Sequence, residues 1–190
     1  MSDIRGRFVW YENMTRDVQA AKVWVRLMEI PTVGTFSVIQ DLQGAFFAAY
    51  SPVNPPAGPA KWAEAGEFAW HELATIDVDG AWAFYSDLFG WEKKAAHDMG
   101  PAGIYQVFGF PSLGLGGIYK KPAEMPGPPN WMFYVRVANL EATVEKVTTN
   151  GGSITMEPHD VPGGGRIARC LDPQGAAFAL LGSSAGAAGG

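Results

Sequence analysis

The chain has 190 residues, of which 47% are apolar and 13% aromatic, and this suits one compact domain or one domain with an added fragment. Its net charge of −5 and its lack of a basic run argue against nucleic acid as a partner. Because Cys170 is the only cysteine, the start does not resemble a signal peptide and no apolar run could span a bilayer, we expect a cytoplasmic protein without a membrane partner.

Two internal repeats organise the chain, and the first begins near the N-terminus. Residues 6–21 (GRFVWYENMTRDVQAA) match residues 66–81 (GEFAWHELATIDVDGA) without a gap. Residues 23–49 match residues 154–180, again without a gap, with Pro, Gly, Asp, Gln and Phe recurring in register. Matches of this kind indicate duplicated supersecondary units.

Each copy of the second repeat contains a predicted β-hairpin. Residues 41–44 (Asp-Leu-Gln-Gly) separate strands expected at 35–40 and 45–50, and residues 172–175 (Asp-Pro-Gln-Gly) separate strands expected at 166–171 and 176–181. Asp at the first position of a turn, Pro at the second and Gly at the fourth are typical of a type I turn.

A complete strand–helix–three-strand module is predicted at 67–120. After a strand at 68–75, Asp77 is the expected N-cap of a helix whose apolar residues recur at helical spacing. Gly90 is expected to end this helix, and strands follow near 91–96, 104–110 and 115–119.

A second complete module is predicted at 130–182. A strand at 131–137 precedes Asn139, the expected cap of a helix that carries Leu140, Val144 and Val147 on one face. The sequence Asn-Gly-Gly at 150–152 ends this helix, and three strands complete the module.

The rest of the chain is predicted to consist of a remnant, a linker and a tail. Residues 1–50 join the head of one module to the tail of another, which indicates a truncated βαβββ remnant left by an internal deletion. Residues 51–66, rich in Pro and Ala, are its expected linker, and 183–190 are expected to be a disordered tail.

Four motifs give the chain its resemblance to a known family: WHELATxD at 70–77, AFYSxLFGW at 83–91, MPGPPxW at 125–131 and LDPQGA at 171–176. With the order of elements, they resemble the vicinal oxygen chelate superfamily of glyoxalases, bleomycin-resistance proteins and extradiol dioxygenases, and in particular its tandem glyoxalase-like members. The resemblance implies an α+β fold in which paired βαβββ modules form a curved mixed-sheet barrel around a cavity.

The resemblance also implies where a divalent metal would be held, namely on the first and last strands of each module. The first-strand positions here are Trp70 and Met132, and the last-strand positions are Ala179 and one residue of 116–118 (Gly-Gly-Ile). None of these side chains is a ligand for Mg, Mn, Fe, Ni or Zn. We therefore expect no cofactor, with a divalent metal at a displaced site as the alternative.

Side-chain alternation gives the candidate pocket residues. If Trp70 faces the cavity, so does Glu72, and in the second module Met132, Tyr134 and Arg136 share that face. A carboxylate in an apolar cavity must be paired, hydrated or protonated, so Glu72 is either a ligand anchor or acid/base group opposite Arg136 or Tyr134, or part of a structural ion pair.

Four further groups of residues are weighed for a role in the site. Tyr105, Gln106 and Tyr119 lie on later strands, and alternation leaves open which of them face the cavity; Tyr105 and Tyr119 are included among the ligand-binding candidates. His71 is expected beneath the helix or at a sheet edge. His97 and His159 are each followed by Asp and are expected in loops, as surface imidazoles or, where a loop covers the cavity mouth, as an acid or base. Cys170 is expected to be a small buried residue.

Three functions follow, in order of preference. The first is metal-free binding of a small organic molecule, for sequestration or resistance. The second is a glyoxalase-like lyase, isomerase or dioxygenase that uses a non-standard metal site or Glu72 as acid/base. The third is an interaction protein that has lost its ancestral activity. A homodimer, formed by pairing two remnants, is the expected assembly, and a remnant docked on its own chain is the alternative.

Overall fold

The computed structural model describes residues 22–54 and 61–183. The predicted first strand of the remnant and the tail from residue 184 lie outside these ranges. The chain divides into two compact units, one formed by Met1–Lys61 with Glu72–Trp131 and the other by Trp62–His71 with Met132–Gly190.

The described residues of the first unit form two sheets and one α-helix. Its elements are β1 (Lys22–Ile30), β2 (Gly34–Gln40), β3 (Phe46–Pro52), the second half of β4 (Phe68–Thr75), α1 (Val78–Phe89), β5 (Glu92–Asp98), a short 3-10 turn (Gly100–Ala102), β6 (Ile104–Phe110) and β7 (Leu113–Lys120). The first three strands form an antiparallel sheet in the order β1-β2-β3. The others are ordered β5-β6-β7-β4.

The second unit contains the first half of β4 and a complete set of later elements. These are β8 (Asn130–Arg136, of which the first two residues belong to the first unit), α2 (Leu140–Thr149), β9 (Ser153–Val161), β10 (Gly165–Leu171) and β11 (Ala177–Ser183). The strand order is β4-β8-β11-β10-β9, with β11 parallel to β8 and antiparallel to β10. The predicted α+β fold of strand–helix–three-strand modules is therefore confirmed.

Both helices begin as their capping residues predict. The Asp77 carboxylate accepts a hydrogen bond from the amide of Gly80 at 3.0 Å, and Asn139 Oδ1 accepts one from the amide of Ala142 at 2.9 Å. Gly90 ends α1 with a φ of 67°, a left-handed conformation in which a Cβ is unfavourable.

The two predicted hairpin turns have the same hydrogen-bonded geometry. Asp41 Oδ1 accepts from the amides of Gln43 (3.0 Å) and Ala45 (2.8 Å). Asp172 Oδ1 accepts from the corresponding amides at 174 and 176, at 2.9 and 2.8 Å. This agreement supports the repeat found in the sequence. The internal deletion remains a prediction.

The N-terminal sheet packs against α1. Phe47 contacts the rings of Tyr85 and Phe89 edge to face, and Ala45 is fully buried in the same cluster. Because Leu73 and Phe108 also belong to this cluster, α1 is covered by apolar residues from both sheets of the unit. This is the arrangement that the sequence left as the alternative to dimerisation.

A buried hydrogen-bond network joins the N-terminal sheet to α1. The hydroxyl of Tyr85 donates to Asp41 Oδ2 at 2.9 Å and accepts from Trp131 Nε1 at 3.2 Å. Burial first, and then the negative charge of Asp41, raise the pKa of Tyr85 well above its ordinary value.

The predicted ends of β3, β5 and β11 each fall two residues short of the observed ends. β11 continues to Ser183 because Gly165 and Ser183 still pair across the hairpin. Within residues 61–66 of the predicted linker, the carbonyl of Ala63 accepts a hydrogen bond from Arg136 on β8. Within the described residues, no helix has the length and apolar content of a membrane span.

The first prediction concerns the Tyr85 network. Tyr85→Phe leaves the buried Asp41 oxygen without its phenolic donor, so we expect a loss of about 1–3 kcal/mol in the free energy of unfolding at pH 7, measured by urea denaturation. Since the folded pKa is raised, the unfolded chain ionises first, and the contribution of Tyr85 is complete below about pH 10 and lost as the pH rises further.

Wild-type stability is therefore expected to fall more steeply above about pH 10 than that of the variant. Tyr50→Phe is the control, because the Tyr50 hydroxyl donates to the carbonyl of Val33 at an exposed site. Equal alkaline slopes for the wild type and Tyr85→Phe would contradict this account of Tyr85.

Candidate functional site

In the first unit, the contacts of α1 show which strand face is left for a ligand. Leu73, Phe108 and Ile118 are buried in the cluster that includes α1. Glu72 therefore lies on the opposite face of β4, and Tyr105 and Tyr119 lie on the opposite faces of β6 and β7. Gln106 pairs with Ile118 on the helix side and donates to the carbonyls of Ala95 and Val107. The sequence left this choice open.

A hydrogen bond crosses three strands on the face opposite α1. The hydroxyl of Tyr105 on β6 donates to Glu72 Oε1 on β4 at 2.8 Å. The Tyr105 ring passes over Gly117 on β7, where a Cβ would overlap with the ring atoms, and it stacks on Tyr119 with ring centroids 6.0 Å apart. Gly117 therefore gives Tyr105 the room to reach Glu72.

Glu72 is only 6% exposed, whereas the two tyrosines are half-buried. On β5, His97 pairs directly with Tyr105 and so lies beside it on the same face. This face combines a carboxylate, two phenols and an imidazole, groups that can donate and accept hydrogen bonds next to stacked rings.

The second unit has a corresponding face, and it is mainly apolar. Trp70 and Met132 pack against Tyr134, Ile167 and Ala179. The opposite face is covered by α2, where Leu140, Ala168, Cys170 and Leu180 form a separate buried cluster. Three residues at the inferred metal positions, Trp70, Met132 and Ala179, are thus brought together by the fold.

Two arginines supply the polar contacts of this second face. Arg169 Nε donates to the hydroxyl of Tyr134 at 3.2 Å. Because Tyr134 is fully buried, a ligand could reach its hydroxyl only if its packing changed. Arg136 Nη1 donates to the carbonyl of Ala63 at 2.7 Å. The contacts that the sequence suggested between Glu72 and Arg136 or Tyr134 remain predictions.

The histidines and the cysteine have ordinary packing roles or lie on edge strands. His71 is buried against Phe133, with ring centroids 5.8 Å apart. The placement of His97 and His159 in loops is wrong, because both lie within strands, on β5 and β9. Burial, followed by the charge of Glu157, raises the pKa of the Cys170 thiol, which fits a small core residue.

The residues at the inferred metal positions do not fit a divalent ion. Indole, thioether and methyl groups occupy three of them, and the ring of Tyr105 covers the fourth at Gly117. In residues 22–54 and 61–183, no three His, Cys, Asp or Glu side chains come together as a metal-binding group. No step that uses a metal is therefore assigned to these residues.

The sequence comparison identifies the family. Residues 67–180 match the profile described as the Glyoxalase/Bleomycin resistance protein/Dioxygenase superfamily. The chain belongs to this superfamily. The resemblance noted from its motifs is thus confirmed.

Curated relatives of this superfamily member carry different names. A Mycobacterium tuberculosis protein named "Putative glyoxylase CFP32" is 34% identical over 84% of this chain and 60% of its own length. The anthracycline biosynthesis protein DnrV of Streptomyces peucetius is 34% identical over 60% of this chain and 46% of its own. The chain thus spans about 60% of the mycobacterial relative and about half of DnrV.

Solved structures show the same fold at low sequence identity. The Mn(II)-bound glyoxalase from Novosphingobium aromaticivorans is 14% identical, with a TM-score of 0.58 over 85% of this chain and 54% of its own. The 2,3-dioxygenase LapB from Pseudomonas sp. KL28 is 10% identical, with a TM-score of 0.56 over 86% of this chain and 63% of its own. At these identities the likeness is one of fold.

The sequence missed two residues near the site, Arg169 and Trp62, and it placed a third, His97, in a loop instead of on β5. Arg169 follows Ile167 by two positions on β10, so alternation alone could have placed it on the face of the apolar cluster. His97 could have been found by extending the predicted β5 by two residues. Trp62 lies in a segment that composition marked as a linker, and no periodic pattern includes it.

The second prediction tests whether the Tyr105 ring needs a glycine at position 117. A Cβ at this position displaces the Tyr105 ring, so Gly117→Ala is expected to destabilise the protein by about 1–3 kcal/mol and to break the bond to Glu72. In a Tyr105→Ala background the same change is expected to cost much less, because the overlapping ring is gone. Urea denaturation of the four proteins gives the coupling free energy. Equal costs in both backgrounds would show that Tyr105 is not the obstacle.

Proposed function

We propose that this chain binds small, flat organic molecules without a catalytic metal. The observation that carries this proposal is the composition of the inferred metal positions, where Trp70, Met132 and Ala179 pack together and Tyr105 covers Gly117. An apolar surface with a few fixed polar groups is characteristic of small-molecule sites.

Glu72 and Tyr105 are the polar anchor in this proposal. The carboxylate is held by the phenol at 2.8 Å, so the geometry of both groups is set before a ligand arrives. Next to this pair, the stacked rings of Tyr105 and Tyr119 favour an aromatic ligand that carries a hydroxyl or amino group.

The names of two relatives support an aromatic ligand. DauV of Streptomyces sp. and DnrV of Streptomyces peucetius are both named as anthracycline biosynthesis proteins, and each is 34% identical to this chain over 128 residues. Anthracyclines contain a planar anthraquinone ring system, which is a kind of ligand that the stacked rings of Tyr105 and Tyr119 would bind. We therefore propose an anthraquinone-like compound as the ligand class.

One observation favours an alternative in which the same face performs chemistry. A phenol hydrogen-bonded to a nearly buried carboxylate can pass a proton to or from a bound carbon acid, as a lyase or isomerase requires. In that case Glu72 would be the acid/base group. Liquid chromatography with mass spectrometry of the bound compound after incubation separates the two functions, because a lyase changes its mass, an isomerase changes its retention time and binding alone changes neither.

The third prediction is that binding needs Glu72 and needs no metal. Quinizarin, a dihydroxyanthraquinone, is expected to bind equally well before and after EDTA treatment, measured by calorimetry. Glu72→Gln removes the charge while keeping the shape, and we expect it to raise Kd about tenfold.

Glu92→Gln is the matched control, because Glu92 is an exposed carboxylate on β5 that pairs with Lys94 at 3.4 Å. The proposal fails if purified protein contains one equivalent of Ni, Zn, Fe or Mn and its removal abolishes binding. If Glu72→Gln binds quinizarin with the same Kd as Glu92→Gln, Glu72 is not part of the site.

A homodimer and a cytoplasmic location complete the proposed function. Support for the dimer comes from the face of the N-terminal sheet that lies opposite α1, where Phe46 and Met28 are exposed. Support for a reducing compartment comes from the sequence, in which Cys170 is the only cysteine and no intramolecular disulfide can form.

The fourth prediction is that light scattering gives twice the chain mass, and that Met28→Glu reduces it to one chain without loss of helical circular dichroism. Wild-type protein that stays monomeric at high concentration would contradict the dimer and leave the ligand proposal untouched.

A further inference from the structure

Hydrogen bonds join the segment before β4 to Arg136 on β8. Nη1 of Arg136 donates to the carbonyl of Ala63 at 2.7 Å, and the carbonyl of Arg136 accepts from the amide of Gly66 at 2.8 Å. The segment also closes on itself, because the amide of Glu64 donates to Glu67 Oε2 at 2.8 Å. A charge-assisted bond to a buried residue such as Ala63 fixes the position of the chain on either side of it.

This fastening brings Trp62 against the apolar face of the second unit. The Trp62 and Trp70 rings are 6.5 Å apart between centroids and tilted by 58°. Trp70 belongs to the cluster with Met132 and Ala179, so Trp62 extends that cluster beyond the sheet. Trp62 remains 44% exposed, so part of its indole surface is accessible to a ligand.

We propose that Trp62 is a ligand-binding residue, which forms a wall of the apolar face and holds a flat aromatic ring against Trp70. This inference rests on the proposed function and adds a residue that lies outside the predicted modules. The segment Lys61–Gly66 is then part of the site, and Arg136 is the residue that positions it.

The guanidinium of Arg136 narrows the ligand class further. A guanidinium has five N–H donors, and the bond to Ala63 uses one of them. Arg136 is half-buried and lies on the same face of β8 as Met132 and Tyr134, which are members of the apolar cluster. A flat aromatic ring with a carbonyl or quinone oxygen at its edge matches an indole wall with an arginine next to it.

The test measures quinizarin binding by calorimetry for the wild type, Trp62→Ala, Trp62→Phe and Phe68→Ala. We expect Trp62→Ala to raise Kd about tenfold, because one ring contact is lost, and Trp62→Phe to restore most of the affinity. Phe68 is the matched control, because it is an aromatic residue of the same unit that is 61% exposed and contacts Phe133. Its removal is expected to leave Kd unchanged.

Three outcomes would overturn the role of Trp62, and one of them would overturn the proposed function as well. If the wild type binds quinizarin and Trp62→Ala binds it equally well, the role of Trp62 is overturned and the proposed function stands. If Trp62→Ala and Phe68→Ala weaken binding alike, the effect is one of general apolar surface and the role of Trp62 is also overturned. If the wild type does not bind quinizarin, both proposals fail for this ligand class.

Discussion

The structure depends on a constraint of β-strands, which is that neighbouring side chains point to opposite faces. Once a helix covers one face of a strand, the residues that alternate with the covered ones must lie on the other face. In the first unit α1 buries Leu73 and thereby turns Glu72 to the opposite side. In the second, α2 buries Leu180 and leaves Ala179 to pack with Met132. The residues that pack under each helix therefore determine which of their neighbours lie on the candidate face.

Each of the two faces carries a hydrogen bond between two polar side chains. In the first unit this bond runs from Tyr105 to Glu72, and in the second from Arg169 to Tyr134. Each hydrogen bond holds two polar side chains in a fixed position relative to one another. The hydrogen bond from Tyr105 to Glu72 requires that position 117 has no side chain, because a Cβ there would overlap with the Tyr105 ring. Gly117 therefore offers no metal-binding side chain and also allows this hydrogen bond to form.

Much of the fold could be predicted because it is encoded locally. Caps at Asp77 and Asn139, a left-handed stop at Gly90 and two Asp-initiated turns each depend on a few neighbouring residues. The faces of Tyr105 and Tyr119 could not be predicted, because β7 carries Gly, Leu and Ile without a clear alternation, and its register changes near Gly109. Trp62 was missed for another reason, since its position depends on the distant Arg136.

The N-terminal sheet shows how far a repeat can be used to predict structure. Its turn at Asp41 repeats the turn at Asp172 bond for bond, and this similarity could be read from the sequence. What the repeat could not predict is the use of the second carboxylate oxygen, which at Asp41 accepts from Tyr85. A signal was nevertheless present in α1, whose sequence VDGAWAFYSDLF is apolar on more than one face, while α2 (LEATVEKVTT) has a single apolar stripe. A helix that is apolar on two sides needs two packing partners, and the second partner of α1 is the N-terminal sheet.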